Sequence, residues 1–343
     1  MHEREYTRLD NSDSLAYDTN LFRLRSSNVP EHLQDLLTRY DFRRCSAAEI
    51  DDSVALTHNA WPGLPESTSL DLRANEMINA PMCGAFNAND EMVGYTRLLW
   101  GYDNRGYPEI VSHMTAVKKD IRDSGIGEAL KWLARQIALE FPAYPVGQLS
   151  VTFDNLQGRN CYVNITKLGM ICGAAGGVFK ENAYDALTGE QHRGNPTDRY
   201  KARWYLDSPW VKAHLNDEIK KFSLEEVRSY PCALQVNKET TSDQMIPIIL
   251  PDAANAELQE NYITLPIPLN WDVLLSVDKD YGYALAKAWR TATRTLLPVY
   301  FGRGYTVISQ IQDSERWVNF QIMMKNFDPF KPPKTLLKTD VGT

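Results

Sequence analysis

The sequence has few cysteines and no long apolar run. Its five cysteines are odd in number, scattered and without a C-x-x-C pair: Cys45, Cys83, Cys161, Cys172 and Cys232. The spacing indicates neither a disulfide framework nor a zinc site, and it favours a reducing cytoplasm. No stretch approaches the ~18 apolar residues of a membrane span, and residues 1–20 lack the apolar centre of a signal peptide. We therefore expect a cytoplasmic protein without a metal site or a membrane partner.

An excess of positive charge is also missing. The 343 residues carry a formal net charge of -7, with 43% hydrophobic and 24% charged residues. Proteins that bind nucleic acid or anionic membranes through charge need a basic surface. We therefore expect no nucleic-acid partner. The length allows two domains of about 150 residues each.

The sequence does contain a glycine-bearing turn, Arg122-Asp123-Ser124-Gly125-Ile126-Gly127. It follows an apolar run at residues 110–117 and opens a helical pattern at residues 129–139. The first N–H groups of a helix have no partners within it, and the helix dipole attracts anions there. No Gly-Lys-Ser/Thr follows, and the spacing is not G-x-G-x-x-G. The turn therefore predicts a phosphate or pyrophosphate site outside the nucleotide-binding P-loop and dinucleotide folds.

Further patterns place this turn in an alternation of strands and helices. A hairpin is predicted from residues 84–86 and 92–98 around turn formers at 87–90. Residues 148–153 predict a strand, and residues 159–170 a short helix ending at Lys167-Leu168-Gly169. The capping box from Ser46 to Glu49 predicts a helix running toward Trp61, and a second helix is expected at residues 70–79.

The pattern Arg-x-x-Gly-x-Gly after a strand resembles the coenzyme A pyrophosphate loop of the GNAT N-acyltransferases, and residues 159–170 resemble their second signature. The resemblance covers residues 40–210 and implies an α/β (α+β) fold with a central mixed, mostly antiparallel sheet flanked by helices. A narrower resemblance rests on Ser112-His113-Met114, Thr152-Phe153-Asp154, Arg159-Asn160 and Pro196-Thr197-Asp198-Arg199-Tyr200. These motifs are similar to a long-chain branch of GNAT enzymes that accompany N-acylamino acid racemases and are similar to amino-acid N-succinyltransferases.

Four parts of the chain are expected. Residues 1–40 form an N-terminal extension, 41–207 the GNAT domain, 208–325 a C-terminal α/β unit, and 326–343 a flexible tail. Within the C-terminal unit, helices are expected at 211–222 and 280–297, and Pro298, Gly302 and Gly304 mark the end of the second. The succession of helix, Gly302, Gly304 and strand is similar to the second GNAT signature. We therefore interpret this unit as a degenerate GNAT-like half.

The resemblance implies a coenzyme A thioester as co-substrate, whether acetyl-CoA, succinyl-CoA or another acyl-CoA. Its pyrophosphate would lie on the turn formed by Arg122, Asp123, Ser124, Gly125, Ile126 and Gly127. Its pantetheine arm would pair with the preceding strand at Met114, Thr115 and Val117. Asn160 would contact that arm, whereas Asn164, on the same helix face, is either a further contact or structural. Each nearby basic residue could contact the phosphates, but solvent exposure is the favoured expectation for all four: Lys118, Lys119, Lys131 and Arg135.

The implied reaction is attack of a neutral amine on the thioester, which needs a base and donors for the oxyanion. His113 is the first candidate base; the alternative is a packed strand histidine. Glu109 lies four residues earlier, on the same face of the strand, and would act through water unless it is a surface residue. Ile165 occupies the position of the family's thiolate-protonating tyrosine. Tyr162 is one substitute, and unassisted departure of a thiol with a pKa of about 8.5 is the other.

Four residues are candidates for substrate binding: Trp61, Asp154, Asp198 and Arg199. Arginine suits a carboxylate because its guanidinium is bidentate, although Asp198 and Arg199 could equally form a structural ion pair. The expected acceptor is a small-molecule amine or an amino acid, and homodimerisation stays open. Two other functions remain: a biosynthetic acyltransferase that uses an acyl carrier protein thioester or a hydroxyl acceptor, and a non-catalytic GNAT-like binding module.

Overall fold

The computed structural model describes residues 22–60, 81–103, 105–140, 146–183, 196–241, 244–276 and 279–338. The strands, β1 to β13 in chain order, are Asp41–Arg44, Met82–Phe86, Met92–Tyr102, Pro108–Val117, Gln148–Asp154, Cys172–Gly173, Val178–Lys180, Arg199–Tyr205, Leu234–Thr241, Gln244–Ala254, Tyr262–Pro268, Tyr305–Asp313 and Val318–Lys325. The α-helices, α1 to α8, are Leu36–Arg39, Ile50–Ala60, Ile126–Glu140, Gly158–Cys161, Pro209–Leu215, Leu224–Ser229, Trp271–Ser276 and Lys279–Gly302. A π-helical segment, Tyr162–Lys167, continues α4.

A seven-stranded sheet organises the N-terminal half of the chain, in the order β1-β2-β3-β4-β5-β8-β7. Strands β4 and β5 are parallel, and all its other neighbours are antiparallel. Successive side chains of a strand point to opposite faces. A Cβ on Gly94 would lie 3.1 Å from Ile126 of α3, whereas the hydroxyl of Tyr95 contacts Thr57 of α2. Helices α3 and α2 therefore cover opposite faces, which confirms the expected α/β fold with its mixed, mostly antiparallel sheet.

The capping box before α2 is present. The backbone N–H of Ser46 donates to Glu49 Oε2 at 2.6 Å, and the box starts a 3-10 turn that leads into α2. The predicted continuation of that helix to Trp61 and the second helix at residues 70–79 lie outside the described residues. Helix α3 is buried along nearly its whole length, including Glu128, Lys131 and Arg135. The expectation that Lys131 and Arg135 face solvent was therefore wrong.

The C-terminal unit contains a second sheet, in the order β11-β13-β12-β6, and a separate hairpin of β9 and β10. Strand β6 belongs to the N-terminal unit, so the two units share the second sheet. Strand β6 pairs antiparallel with β12, with Cys172 opposite Val307 and Gly173 opposite Thr306. The two units are thus joined by backbone hydrogen bonds.

Two segments of the chain have the same topology. In β5-α4-β7-β8 and in β11-α8-β12-β13, the last strand lies between the other two and is antiparallel to both. A glycine with positive φ follows each helix, Gly169 at 73° and Gly304 at 91°. Cys172 and Val307 each lie three residues after that glycine, and they face each other in the β6–β12 pairing. This local two-fold relation supports our proposal of a degenerate GNAT-like half.

Two helix predictions in the C-terminal unit need correction. Helix α8 extends beyond the predicted range 280–297 and ends at Gly302, one of the three residues that mark its end in the sequence. Proline removes one helical hydrogen bond, and the packing of fully buried Leu297 and Tyr300 on either side holds the last turn in place. The helix expected at 211–222 ends at Leu215, because Asp217 adopts a left-handed φ of 55°, a conformation that ends helices.

The C-terminal tail is packed as far as residue 338. Phe327 and Leu336 are buried, and the ring of Phe327 lies 5.1 Å from that of Trp210 in α5. The backbone N–H of Lys220 donates to the carbonyl of Leu336 at 2.9 Å. Apolar side chains spaced along a lysine- and proline-bearing segment thus anchor it, so the prediction of a flexible tail was wrong for residues 326–338.

Candidate active site

Strands β4 and β5 separate along their length. They share three residue pairs, of which Ser112 opposite Val151 is the last, although β4 continues to Val117 and β5 to Asp154. From His113 onward, the edge of β4 that faces β5 pairs with no strand among the described residues. An unpaired strand edge offers regularly spaced N–H and C=O groups to an extended ligand. The predicted contact residues Met114, Thr115 and Val117 lie on this edge.

A β-bulge places His113 at the point where the strands separate. Arg97 of β3 pairs with Met114 and Leu98 pairs with Ser112, which leaves His113 as the extra residue. Its imidazole is solvent-accessible, and no hydrogen bond or ion pair joins it to another described residue. Partial burial and the charge of Arg97 lower the pKa of His113 below its usual 6.5. The ring is therefore mostly neutral at pH 7 and has a nitrogen free to accept a proton.

The glycine-bearing turn joins β4 to α3 beside this gap. Asp123 and Gly125 have positive φ, 67° and 92°, and α3 begins at Ile126. The hydroxyl of Ser124 is buried without a hydrogen-bond partner. A Cβ on Gly127 would meet only Val117, at 3.8 Å. An unsatisfied hydroxyl beside a helix N-terminus fits a phosphate oxygen. The side chain of Ile126 is fully buried, so this residue can contribute only its backbone amide.

Two charged side chains of the turn have identified positions. Asp123 forms an ion pair of 2.7 Å with Arg159 at the start of α4. The pair links the turn to the helix that follows β5, and it balances a carboxylate that would otherwise repel an anion. Arg122 is exposed, with its Nε 3.4 Å from the carbonyl of Val117. Its guanidinium is thus held beside the turn, where it can reach a phosphate.

The N-terminal segment packs along α3. His32 Nε2 lies 3.1 Å from Glu128 Oε1, and Lys167 Nζ lies 2.7 Å from Glu128 Oε2. Burial alone would raise the pKa of Glu128, but hydrogen bonds from His32 and Lys167 lower it. A Cβ on Gly125 would lie 2.9 Å from Leu33. This segment therefore buttresses the turn from one side.

Glu109 lies in a buried charge cluster rather than at an open site. It is 1% exposed, it is bonded to Lys201, and it accepts a hydrogen bond of 2.9 Å from Arg203. The bulge at His113 interrupts the two-residue alternation from which we inferred that Glu109 and His113 share a face. The structure thus places Glu109 where it fastens β4 to β8.

Two predicted substrate ligands form ion pairs with α8. Arg290 NH1 donates to Asp154 Oδ1 at 2.7 Å, and a second guanidinium nitrogen binds the other oxygen. Arg294 Nε donates to Asp198 Oδ2 at 3.1 Å, and Asp198 is fully buried. The two arginines are four residues apart on one helix face. Asp154 and Asp198 therefore join the two units, and Asp198 is paired with Arg294.

The helix after β5 carries the remaining candidates. Asn160 is exposed, but Asn164 is 6% exposed and donates through Nδ2 to the carbonyl of Asn160 at 2.9 Å, which favours a structural role. Tyr162 is 44% exposed and begins the π-helical segment, whereas Ile165 is fully buried. π-helical turns are frequent at functional sites. Arg199 begins β8 beside Asp154, its register partner on β5.

The predicted residue Trp61 lies outside the described residues. One buried residue was missed by the sequence analysis. This residue is Lys131: its Nζ lies 2.5 Å from Ser112 Oγ, directly under the point where β4 and β5 separate. The signal available was its position among Ala129, Leu130 and Leu133 in an apolar helix. We nevertheless expected solvent exposure, since lysine is rarely buried.

Neither a metal site nor a membrane span is found in the part of the chain that the structure describes. No group of three or more His, Cys, Asp or Glu residues is arranged there to hold an ion. The helices of the described ranges are too short or too polar to cross a bilayer.

Comparisons with known proteins point to one family. Residues 45–167 match the model of the acetyltransferase (GNAT) family. Among solved structures, the chain is similar to the ribosomal-protein-S18-alanine N-acetyltransferase from Escherichia coli, with 13% identity, 49% of this chain and 94% of that chain covered, and a TM-score of 0.37. The chain is also similar to nourseothricin acetyltransferase, with 14% identity, 48% of this chain and 98% of that chain covered, and a TM-score of 0.35. A chain of the NatC complex bound to Gag peptide and CoA is similar as well, with 11% identity, 49% of this chain and 98% of that chain covered, and a TM-score of 0.38. No curated protein matches.

The matched segment contains the bulged strand β4, the glycine-bearing turn, α3 and the helix that ends in Lys167. Residues 45–167 therefore match a GNAT acetyltransferase domain, which supports an acyltransferase.

Proposed function

We propose that the protein is an acyl-CoA-dependent N-acyltransferase. It would transfer an acetyl, succinyl or similar acyl group from coenzyme A to the amine of a small molecule or an amino acid, by direct attack within a ternary complex. Within this class, the motifs around His113, Asn160 and Arg199 support the branch that accompanies N-acylamino acid racemases.

The observation that carries the proposal is the separation of β4 from β5 beyond Ser112 and Val151, next to the glycine-bearing turn. The unpaired edge of β4 suits the two amide groups of a pantetheine arm. The α3 N-terminus, the buried Ser124 hydroxyl and Arg122 suit the pyrophosphate at the end of that arm. An elongated ligand with a phosphorylated end therefore fits the residues present.

His113 supplies the base in this proposal. The acceptor arrives as an ammonium ion and must lose a proton before its nitrogen can attack. A neutral imidazole at the bulge can take that proton directly or through one water molecule. Because its pKa is lowered, His113 is in the proton-accepting form across the neutral range. Arg97 opposite the bulge keeps positive charge near the developing oxyanion.

Thermal melting with donor candidates tests the donor site. Coenzyme A, acetyl-CoA and succinyl-CoA are each added to the full chain, to Gly125→Glu and to Gly101→Glu. A ligand at 100 times its Kd adds about 2.7 kcal/mol of stability. Gly125→Glu places a carboxylate at the turn and forces a left-handed residue, whereas a Cβ on Gly101 meets nothing within 4 Å. We expect a shift for the wild type and Gly101→Glu that is lost in Gly125→Glu.

The best donor is then used in a screen of amines and amino acids, with hydroxylamine as a small general acceptor and release of the thiol as the signal. Stabilisation by coenzyme A together with amine-dependent thiol release supports the proposal. A melting temperature unchanged by all three donors overturns it. Binding of an acyl carrier protein would then favour a carrier-protein donor. If the protein bound neither coenzyme A nor the carrier protein, a non-catalytic module would be favoured.

A further inference from the structure

Lys131 is a buried cation with no carboxylate partner. Its side chain is 5% exposed, it forms no ion pair with a described residue, and its Nζ lies 2.5 Å from Ser112 Oγ. Burial lowers the pKa of Lys131 to about 7. Other charged or titratable groups surround it: Cys83 on β2 and Arg44 on β1 beyond it, Glu128, which is bonded to His32 and Lys167, and Arg135, which is bonded to the Leu206 carbonyl.

A chain of hydroxyls leads from Lys131 to the gap between β4 and β5. Ser112 Oγ lies 3.0 Å from Thr96 Oγ1, which lies 2.8 Å from Thr115 Oγ1. Thr96 is fully buried, whereas Thr115 is half-buried on the unpaired edge of β4. The carbonyl of Met114, 3.1 Å away, is the other acceptor open to Thr96. Each hydroxyl can donate to the next, so the four side chains form one directional path.

We propose that Lys131, acting through Ser112, Thr96 and Thr115, supplies the proton that the departing thiolate of the acyl donor takes up. The inference rests on the proposed function. As the carbon–sulfur bond breaks, its electron pair goes to sulfur, which takes the Thr115 hydroxyl proton. Thr96 reprotonates Thr115, Ser112 reprotonates Thr96, and the Lys131 ammonium reprotonates Ser112. Lys131 is left neutral and is reprotonated from solvent along the same path once the product has left.

The chemistry fits the side chains present. Ile165 is fully buried and has no proton to give. A thiol has an ordinary pKa of about 8.5, above that of Lys131, so transfer from the ammonium to the thiolate is favourable. Lys131 does not touch the substrate and is a positioning residue, because it acts through the hydroxyls. A purely structural role is poorly served by a buried lysine, since methionine would fill the same space without a desolvation cost.

The test compares Lys131→Met, Thr96→Val and the matched control Arg135→Met, which removes a buried cation one turn along the same helix. Thiol release from acetyl-CoA with hydroxylamine is measured from pH 6 to 10 against an enzyme-free blank. For the wild type we expect kcat to fall as pH rises above about 7, because Lys131 loses its proton. In Lys131→Met we expect a roughly tenfold to hundredfold lower kcat without that fall, and an unchanged KM for acetyl-CoA. Arg135→Met should keep the fall.

A second measurement does not depend on activity. In an NMR titration of protein with lysine labelled at carbon ε, the resonance of Lys131 is identified by its absence from Lys131→Met. This resonance should titrate near pH 7. We expect free coenzyme A to move its midpoint in the wild type and not in Thr96→Val, which interrupts the path without a large change in volume.

Several outcomes would overturn the inference. The first is a Lys131→Met variant that keeps the alkaline fall or loses no more kcat than Arg135→Met, and the second is a lysine resonance insensitive to coenzyme A. Stabilisation by coenzyme A without accelerated thiol release would remove the relay but leave the donor site. Absence of coenzyme A binding would instead remove the proposed function itself.

Discussion

Arg290 on α8 holds Asp154, the last residue of β5, through both carboxylate oxygens. Its NH1 also donates to Asn155 Oδ1 at 3.0 Å and reaches the Asp198 carbonyl at 3.3 Å. The end of the strand beside the gap between β4 and β5 is thus bound by a helix that begins more than a hundred residues later.

Removing this arginine should destabilise the whole chain. Arg290→Met leaves Asp154 largely buried without its cation, and the loss of one partner of a buried pair costs about 3 kcal/mol or more. Urea unfolding measures the change. Arg23→Met is the control, because the Arg23–Asp41 pair is exposed and should cost less than about 1 kcal/mol. Equal effects of the two substitutions would contradict the assigned role.

Glu109 should matter for stability rather than for proton transfer. Glu109→Gln leaves Lys201 and Arg203 without their shared anion in a buried site, and we expect a loss of about 2–3 kcal/mol in the free energy of unfolding. The pH at which the rate reaches half its maximum on the acid side should not move. A displaced acid limb in a stably folded Glu109→Gln variant would restore Glu109 as the base.

His113 should control the acid limb of the rate profile. The pKa of the imidazole is lowered from 6.5, so kcat should rise with pH below that value as the ring loses its proton. His113→Gln keeps a polar side chain at the bulge but cannot accept the proton, and a loss of roughly 10²–10⁴-fold in kcat is expected. The profile should be measured with an acceptor of constant charge over the range. A loss under fivefold would exclude this role.

Lys131 gives a stability prediction that is separate from catalysis. Its folded pKa of about 7 lies below the ordinary 10.5, so the unfolded chain binds the extra proton between these values. The native state is penalised at and below pH 7 by on the order of 5 kcal/mol, and the penalty fades as pH rises to about 10. Lys131→Met should therefore be more stable than the wild type at pH 7, with a difference that shrinks toward pH 10. A less stable variant at pH 7 would show that the lysine is structural.

The sequence carries the local elements well. The capping box at Ser46, the hairpin around residues 87–90, strand β4 and the turn at Gly125 follow from periodicity and turn chemistry over short distances, and the structure has all of them. The match of residues 45–167 to the GNAT family falls on this part of the chain. Roles such as that of His113 stay predictions.

Long-range partners are what the sequence could not give. Asp154 ends one strand and Asp198 directly precedes another, which made both candidate ligands, but Arg290 and Arg294 bind them from 136 and 96 residues away. The bulge at His113 shifts the alternation by one residue and depends on the register with β3, which no local pattern encodes. Lys131 was assigned to solvent by residue type, whereas its burial depends on three strands packed against α3.

The pairing of Cys172 with Val307 gives the two halves of the chain a shared axis within one polypeptide. In a symmetric dimer each mutation appears on both sides of such an axis, so neither side can specialise alone. Here the two halves pair through β6 and β12, yet each has its own sequence. One half carries the glycine-bearing turn at Gly125, whereas the other contributes a helix whose arginines bind Asp154 and Asp198. Such an arrangement is what fusion of two similar units would produce: a two-fold axis that is retained and different residues of importance on its two sides.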